Sequence, residues 1–193
     1  VYINNIDYSS INKNSKAYEV LTNLSSTKNN IILDFNYTAS TRLILKQCGL
    51  SDEDIDNRLI KVHGEASNND IIFGVEDNAG IKKEHVFLRK AYNIKYKALN
   101  FSELYDRIKS VAIFGHSLGE TDHTYFNKLF QESCMYNKFS TNNNKEFWLF
   151  YYKENGYHCM MQQLDSLTHN SLTSFRQYNR VNFINTDKEK VFI

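Results

Sequence analysis

The chain contains 193 residues, of which 41% are hydrophobic and 14% aromatic, and its formal net charge is +1. This length and composition predict one globular domain with a buried core over residues 1–193, and the balanced charge does not indicate a nucleic-acid-binding protein. The longest apolar run, at 147–152, is far shorter than the roughly 20 residues that a membrane-spanning helix needs, so no membrane attachment is expected.

The cysteines give no sign of a disulfide framework or a zinc module. There are three of them, Cys48, Cys134 and Cys159, which is an odd number at wide spacing. No signal-peptide pattern is visible either. We therefore expect reduced thiols, no bound metal and a cytoplasmic location.

The first half of the chain predicts short elements, of which the first lies within a polar, poorly defined lead-in at 1–29. In chain order they are a short helix over 15–23, a buried strand over 30–36, a helix over 40–48, a short helix that begins at the capping box Ser51-x-x-Asp54, and strands over 59–62 and 70–75. The polar turn between the last two strands indicates a hairpin.

The second half alternates more regularly between helical and extended patterns. Its predicted elements are a helical stretch over 81–109 with core positions Leu99, Leu104, Tyr105 and Ile108, strands over 111–114, 147–152 and 181–184, and helices over 122–136 and 157–174. This alternation predicts an α/β fold with a mostly parallel sheet and flanking helices.

Three of the predicted strands end in polar segments. They are DFNYT at 34–38, VHGE at 62–65 and FGHSLG at 114–119. Because ligands of α/β folds bind beyond the carboxyl ends of parallel strands, we expect the three segments to lie on one edge of the sheet and to form a ligand site.

The third segment fits the G-x-S-x-G pattern of a serine hydrolase, in which Ser117 would be the nucleophile. A catalytic triad then needs a downstream acid and histidine on separate loops, and the downstream histidines are His123, His158 and His169. His123 follows too closely. His169 lies four residues after Asp165 on one predicted helix, and His158 is equally close to Glu154. A serine esterase therefore stays open as an alternative, without a supporting acid–histidine pair.

The same segment can instead act through its backbone. Gly115 and Gly119 permit a tight turn and close approach to a ligand, and amides that precede a helix can receive a phosphate or a hydroxyl group. A simpler alternative assigns no ligand at all. In it Asp122 caps the following helix, Asn36 is a turn residue and His63 is a packed histidine.

In order and spacing, the three segments resemble the AbiH family of bacteriophage abortive-infection proteins, with the third extending to GHSLGETD at 115–122. They are also similar to the wider sirtuin-like superfamily. There an Asn-containing motif, a His-Gly pair and a Gly-x-Ser-Leu motif follow three strands and line an NAD pocket. The matching segments lie between residues 30 and 130. The resemblance implies a sirtuin-like, Rossmann-like fold that binds NAD or a related nucleotide.

The resemblance also implies roles for individual residues. Asn36 would orient a water or the ribose beside the nicotinamide, and His63 would act as a general base or contact a ribose hydroxyl. The implied nucleotide-binding residues are Tyr37, Thr38, Gly64, Gly115, His116, Ser117, Leu118 and Asp122.

The implied reaction is hydrolysis of the nicotinamide–ribose bond of NAD, without a metal. In abortive infection, loss of the cofactor would stop the host cell and so the phage. We expect a phage-derived trigger, and a homo-oligomer stays open. Besides the esterase, the alternative is an interaction module that senses a nucleotide without catalysis.

The chain departs from these families in two respects. Sirtuin deacylases carry a zinc module of four cysteines, and three widely spaced cysteines cannot supply it, so protein deacylation is not expected. Residues 1–29 contain no glycine, and therefore no glycine-rich phosphate-binding turn. Because the chain also opens at Val1, we expect the carboxyl-terminal portion of a longer protein, with a fold that is incomplete on its amino-terminal side.

Overall fold

The computed structural model describes residues 11–75, 79–93, 107–135 and 144–189. The chain groups into two compact units. The first unit comprises Val1–Lys97 with Val191–Ile193, and the second comprises Ala98–Lys190. Each unit contains its own parallel sheet. The expectation that residues 1–193 form one domain stays a prediction.

The first unit is built from short helices and two short strands. Its elements are α1 (Lys16–Ser26), β1 (Ile32–Asp34), α2 (Ser40–Gln47), α3 (Asp52–Arg58) and β2 (Leu59–Lys61), followed by 3-10 turns at Ala66–Asn68, Lys83–Leu88 and Lys90–Tyr92. Serine caps start two of the helices, since Ser15 Oγ accepts from the Tyr18 amide and Ser51 Oγ from the Asp54 amide.

The strands β1 and β2 pair in parallel, and Asp34 and Lys61 face each other in the last register position. The sheet is held from one side by an apolar cluster whose buried members are Ile32, Leu45, Ile55 and Leu59. Because the pair is parallel, the polar segments that follow β1 and β2 leave the sheet at the same edge.

The predicted hairpin at 70–75 is wrong. This segment is irregular, apart from Val75, which forms an isolated bridge with Arg89. The physical reason is close packing against the 83–88 turn, because a Cβ atom at Gly74 would lie 2.4 Å from the Leu88 carbonyl oxygen. The backbone therefore pairs with this turn instead of with β2.

The helix predicted over 81–109 is also wrong where the structure describes it. Residues 83–88 and 90–92 form 3-10 turns, and the longer turn buries none of its residues. A helix without a buried face has no packing to stabilise it. Three of the predicted core positions, Leu99, Leu104 and Tyr105, lie outside the described residues. Ile108 is partly buried in an irregular segment.

The second unit is a three-stranded α/β layer. Its elements are β3 (Ser110–Ile113), α4 (His123–Ser133), β4 (Glu146–Tyr151), α5 (Lys153–Leu167), α6 (Leu172–Tyr178) and β5 (Arg180–Asn185). The strand order is β3-β4-β5, and both pairs are parallel. The predicted fold class, α/β with parallel strands and flanking helices, is thereby confirmed, with the strands divided between two small sheets.

One predicted helix, 157–174, is in fact two. The chain leaves the helical conformation after Leu167, and both His169 and Asn170 adopt positive φ, at 50° and 60°. The break lets Leu164 and Phe175, which lie on the successive helices α5 and α6, both become fully buried.

Three packed aromatic rings and one buried amide hold the second unit together. Phe130, Phe147 and Phe175 are fully buried, with ring centroids 4.7 to 5.6 Å apart. Asn179 Nδ2 donates to the Ser133 carbonyl at 2.7 Å and to the Phe175 carbonyl at 2.8 Å. Its Oδ1 accepts from the Lys145 amide. This side chain therefore joins the ends of α4 and α6 to the start of β4.

No helix among the described residues is long and apolar enough to cross a bilayer.

Replacing Asn179 by alanine is expected to lower the free energy of unfolding by about 3 kcal/mol, because it removes three hydrogen bonds that this side chain makes to buried backbone groups. Urea denaturation measures the change. The matched control is Asn155→Ala, at an exposed position of α5, which is expected to stay within about 0.5 kcal/mol of the parent. Equal midpoints for the two variants would contradict this role of Asn179.

Candidate functional site

In the first unit, the segment after β1 is folded by the Asp34 side chain. Asp34 is buried, and its Oδ1 accepts from the Asn36 backbone amide at 2.9 Å and from Asn36 Nδ2 at 3.1 Å. An aspartate that binds the backbone two residues on forms an Asx turn. The turn fixes the Asn36 amide group with its nitrogen engaged, and among the described residues nothing donates to its oxygen.

His63 packs between two aromatic side chains beside this turn. It is 5% exposed. Its ring lies edge-on to Phe35, with centroids 5.4 Å apart, and 6.0 Å from the ring of Tyr37. Both neighbours of Asn36 in the chain therefore contact His63. Tyr37 in turn contacts Phe73, at 5.3 Å between ring centroids.

Gly64 permits the turn that follows His63. Its φ is +74°, and a Cβ atom at this position would lie 2.1 Å from the Asp70 carbonyl oxygen. The Glu65 amide donates to Asp70 Oδ1 at 2.6 Å, which ties the turn to the following loop. Only glycine fits here, for both its conformation and its lack of a side chain.

The structure therefore brings together the first two of the three predicted segments. Asn36, Tyr37, His63 and Gly64 lie at the carboxyl ends of the paired strands β1 and β2. Thr38 belongs to the same segment, and its hydroxyl is 2.9 Å from the hydroxyl of Ser40.

The residue that sequence reasoning missed at this position is Lys61, the last residue of β2. Its ammonium group bonds to Asp34 Oδ2 at 2.9 Å and to the carbonyl oxygens of Asn36 and Thr38. The available sequence signal was a lysine two residues before His63, at the end of a predicted buried strand, where a charge needs a partner.

In the second unit, the predicted loop 115–122 is braced by His116. Its Nδ1 accepts from the Leu118 amide at 2.9 Å, so the ring carries its proton on Nε2, which donates to Asp122 Oδ2 at 3.2 Å. The ring also packs edge-on against Phe126. Asp122 precedes α4 but makes no side-chain cap to it, because its carboxylate faces His116. Holding the loop is thus the role that the geometry gives Asp122.

Leu118 is the strained point of this loop. Its φ is +54°, a conformation that a leucine rarely adopts, and its side chain is fully buried. His123 Nε2 lies 3.0 Å from the Leu118 carbonyl oxygen and 2.9 Å from Gln163 Oε1 on α5, so its single N–H is shared between the two acceptors. The buried side chain and the hydrogen bonds to its amide and carbonyl hold Leu118 in this strained conformation. Strained backbone residues recur in ligand-binding loops.

Gly115 and Ser117 are exposed in the first half of the loop, and Glu120 and Thr121 are exposed in the second half. Gly115 has a φ of +65° and nothing within 4 Å of its missing side chain. A ligand approaching this loop meets Gly115 and Ser117 before the buried Leu118 side chain.

Ser117 lacks the surroundings of a hydrolase nucleophile. In a nucleophile elbow the serine itself is strained and a helix follows directly. Here the positive φ lies at Leu118, and a 3-10 turn at Glu120–Asp122 comes between the loop and α4, which begins at His123. Among the described residues of the second unit, no histidine hydrogen-bonds to Ser117 Oγ.

A cleft of about 430 Å³ opens at the carboxyl ends of β4 and β5, on the same edge of the parallel sheet as the 115–122 loop. A hydrogen bond with Tyr152 and the negative charge of Asp187 raise the pKa of Lys153. The lining of the cleft contains two lysines and two carboxylates, so its formal charge is balanced. The lining residues are Tyr151, Lys153, Glu154, Tyr157, Asn185, Asp187 and Lys188. Sequence reasoning had passed over these strand ends because they carry no recognisable motif.

The predicted site residues thus form two groups, one in each unit. Asn36, Tyr37, Thr38, His63 and Gly64 belong to the first unit, and Gly115, His116, Ser117, Leu118 and Asp122 to the second. That the two groups serve one ligand stays a prediction. Among the described residues, no group of three or more histidine, cysteine or acidic side chains is arranged to hold a metal ion.

Alanine substitutions at glycines of positive φ should separate backbone strain from collision. At Gly64 the new Cβ collides with the Asp70 backbone, so we expect a loss of more than about 3 kcal/mol in the free energy of unfolding. At Gly49 and Gly115, which have open space around them, we expect about 1 kcal/mol from strain alone. Urea denaturation of the three variants measures the difference. If Gly64→Ala is as stable as Gly49→Ala, the predicted collision of the Cβ atom with the Asp70 backbone is refuted.

The comparisons with known proteins agree with these motifs. The model of the family described as "Bacteriophage abortive infection AbiH" matches residues 2–149, a range that includes every predicted site residue. No curated protein matches the chain, and no solved structure matches it. The match covers well over half of the chain and confirms the resemblance. The chain belongs to the AbiH family of bacteriophage abortive-infection proteins.

Proposed function

We propose that this AbiH protein binds NAD or a related nucleotide and hydrolyses the nicotinamide–ribose bond, so that loss of the cofactor stops the infected cell. The observation that carries the proposal is the convergence of the Asn36 turn with His63 and Gly64 at the carboxyl ends of two parallel strands. Such edges are where α/β folds bind nucleotides.

The chemistry fits the groups that the first unit presents. Cleavage of an N-glycosidic bond passes through a transition state that resembles an oxocarbenium ion, and fixed dipoles and an oriented water stabilise it. Asn36 supplies such a dipole, since Asp34 holds its amide nitrogen and leaves the oxygen to accept from a water or a ribose hydroxyl. In the reaction, the water oxygen bonds to the ribose carbon as nicotinamide leaves with the bonding electrons.

His63 is suited to receive the proton of that water or to bind a ribose hydroxyl. The ring nitrogens of an imidazole can accept or donate a proton. The rings of Phe35 and Tyr37 pack against His63 and fix its place beside the Asn36 turn. Preorganisation of this kind reduces the rearrangement needed to reach the transition state.

The second unit offers the features that a nucleotide's phosphates and sugar require. The loop 115–122 presents the backbone at Gly115 and the hydroxyl of Ser117, and its strained form is already fixed by His116 and His123. The cleft at the ends of β4 and β5 has a volume of about 430 Å³, within the range of roughly 300 to 1,000 Å³ that is usual for small-molecule sites.

The test is release of nicotinamide from NAD by the purified protein. Asn36→Ala and His63→Ala are expected to lower kcat by about 100-fold, since each removes a group that acts in the chemical step, whereas Ser117→Ala should raise KM with kcat retained. The controls are Asn155→Ala and His158→Ala, which remove the same side-chain types at exposed positions of α5.

Two outcomes would replace this proposal. Thermal stabilisation by NAD without nicotinamide release would favour a nucleotide-sensing module, because a ligand that binds only the native state stabilises it. If the protein shows no nicotinamide release and no thermal stabilisation by NAD, then NAD is not its ligand.

The esterase alternative can be tested directly, because Ser117 of the G-x-S-x-G sequence is exposed and a chemical probe can reach it. A fluorophosphonate probe labels a serine that a general base activates. We expect no labelling of Ser117, because its hydroxyl has no histidine partner among the described residues of its unit. Mass-spectrometric detection of the adduct at Ser117, absent in Ser117→Ala, would support an esterase instead.

A further inference from the structure

Three hydrogen bonds hold the ammonium group of Lys61 in the first unit. The side chain is 16% exposed, and that of its partner Asp34 is 3% exposed. An ammonium group has three N–H donors, and Lys61 directs them to Asp34 Oδ2 and to the carbonyl oxygens of Asn36 and Thr38. Every donor is therefore used, and all three acceptors belong to the end of β1 and the segment that follows it.

These bonds fix three successive carbonyl groups. Lys61 Nζ holds the carbonyls of Asn36 and Thr38, and the amide of Ala66 donates to the Tyr37 carbonyl between them at 2.8 Å. All of the donors come from β2 and the turn behind it. The backbone that carries Asn36 is thus attached on one side to the segment that carries His63.

The Asp34 carboxylate joins this network to the Asn36 side chain. Its Oδ2 faces Lys61, and its Oδ1 accepts from both nitrogens of Asn36. The carboxylate of Glu65 lies 3.9 Å from the same ammonium group and is itself hydrogen-bonded by Ser67. One lysine therefore lies between two buried carboxylates, and its position determines how Asp34 and Asn36 are oriented.

Stability alone does not account for such an arrangement. Removing a lysine and a carboxylate from water costs several kcal/mol, and well-packed apolar residues often serve a fold equally well. The bonds of Lys61 are not spread over the unit but end on the one segment that presents Asn36. We infer that these bonds serve to fix the geometry of that segment.

We propose that Lys61, acting with Asp34, is a positioning residue that sets the orientation of the Asn36 amide for the chemical step. This inference rests on the proposed hydrolysis of NAD. Lys61 does not touch the nucleotide. It holds the turn so that the Asn36 oxygen faces the reacting water, and its loss affects kcat and leaves substrate binding nearly unchanged.

The variants keep the fold while changing the geometry. Lys61→Arg retains the positive charge, but a planar guanidinium cannot aim donors at three acceptors that surround one nitrogen. Asp34→Asn retains an oxygen for the Asn36 nitrogens and places an NH₂ group opposite the ammonium group. The matched control is Lys46→Arg, because Lys46 also pairs with an aspartate, Asp52 at 2.8 Å, but is 45% exposed.

Steady-state nicotinamide release measures the effect on chemistry. We expect Lys61→Arg and Asp34→Asn to lower kcat at least 10-fold with KM changed less than 3-fold, and Lys46→Arg to match the parent. Parent-like kcat in Lys61→Arg would overturn the proposal. So would a loss that follows a general fall in thermal stability, since a purely structural role predicts that pattern.

Amide hydrogen exchange by NMR tests the same geometry without any substrate. The Asn36 amide bonds to Asp34 Oδ1 and the Ala66 amide to the Tyr37 carbonyl, so both report on the turn. In Lys61→Arg we expect their exchange to rise at least 10-fold, while the Leu50 amide, bonded to the Leu45 carbonyl, is unchanged. Unchanged exchange at Asn36 and Ala66 would overturn the positioning role.

The two readouts separate the two proposals. If the parent protein releases no nicotinamide, the proposed function fails, whatever the exchange data show. If the parent releases nicotinamide but Lys61→Arg does so equally fast, hydrolysis stands and the positioning role of Lys61 is refuted.

Discussion

The parallel pairing of β1 with β2, which ends on Asp34 opposite Lys61, is the constraint on which the first unit's site depends. Each strand has only three residues, so a ladder this short gains little from backbone bonds alone. The apolar cluster behind the ladder supplies the packing that it lacks, and the ion pair fixes the geometry at its end. Without this pairing, the Asn36 turn and His63 would have no common edge.

Both units apply the same physical principle, in which a loop beyond a parallel strand uses its own polar groups to fix its shape. In the first unit a carboxylate and an ammonium group fix the Asn36 turn. In the second, His116 and His123 bond both ends of a strained leucine. Each loop is held by hydrogen bonds of its own, and fixed polar groups are the basis of electrostatic preorganisation.

Elements with strong local signals were predicted well from the sequence. The apolar runs of β3, β4 and β5, and the serine cap at Ser51, each depend on residues close together in the chain. The failures share a different cause. The segment 70–75 has the pattern of a strand, but Gly74 packs against the Leu88 carbonyl. The helix predicted over 157–174 is interrupted at His169 and Asn170, whose positive φ values cannot be read from the hydrophobic periodicity of the sequence.

The sequence by itself determined the family, the α/β class and the identity of the polar segments, because these depend on residue type and order along the chain. Only the tertiary structure decided which groups those residues contact. It gave Lys61 its hydrogen-bond partners, since the carbonyl acceptors of that ammonium group come from residues more than twenty positions earlier. It also placed the Asp122 carboxylate on His116 instead of on the helix end. Hydrogen bonds to buried groups are settled by which strands pair and how loops fold over them, and neither is encoded in a local pattern.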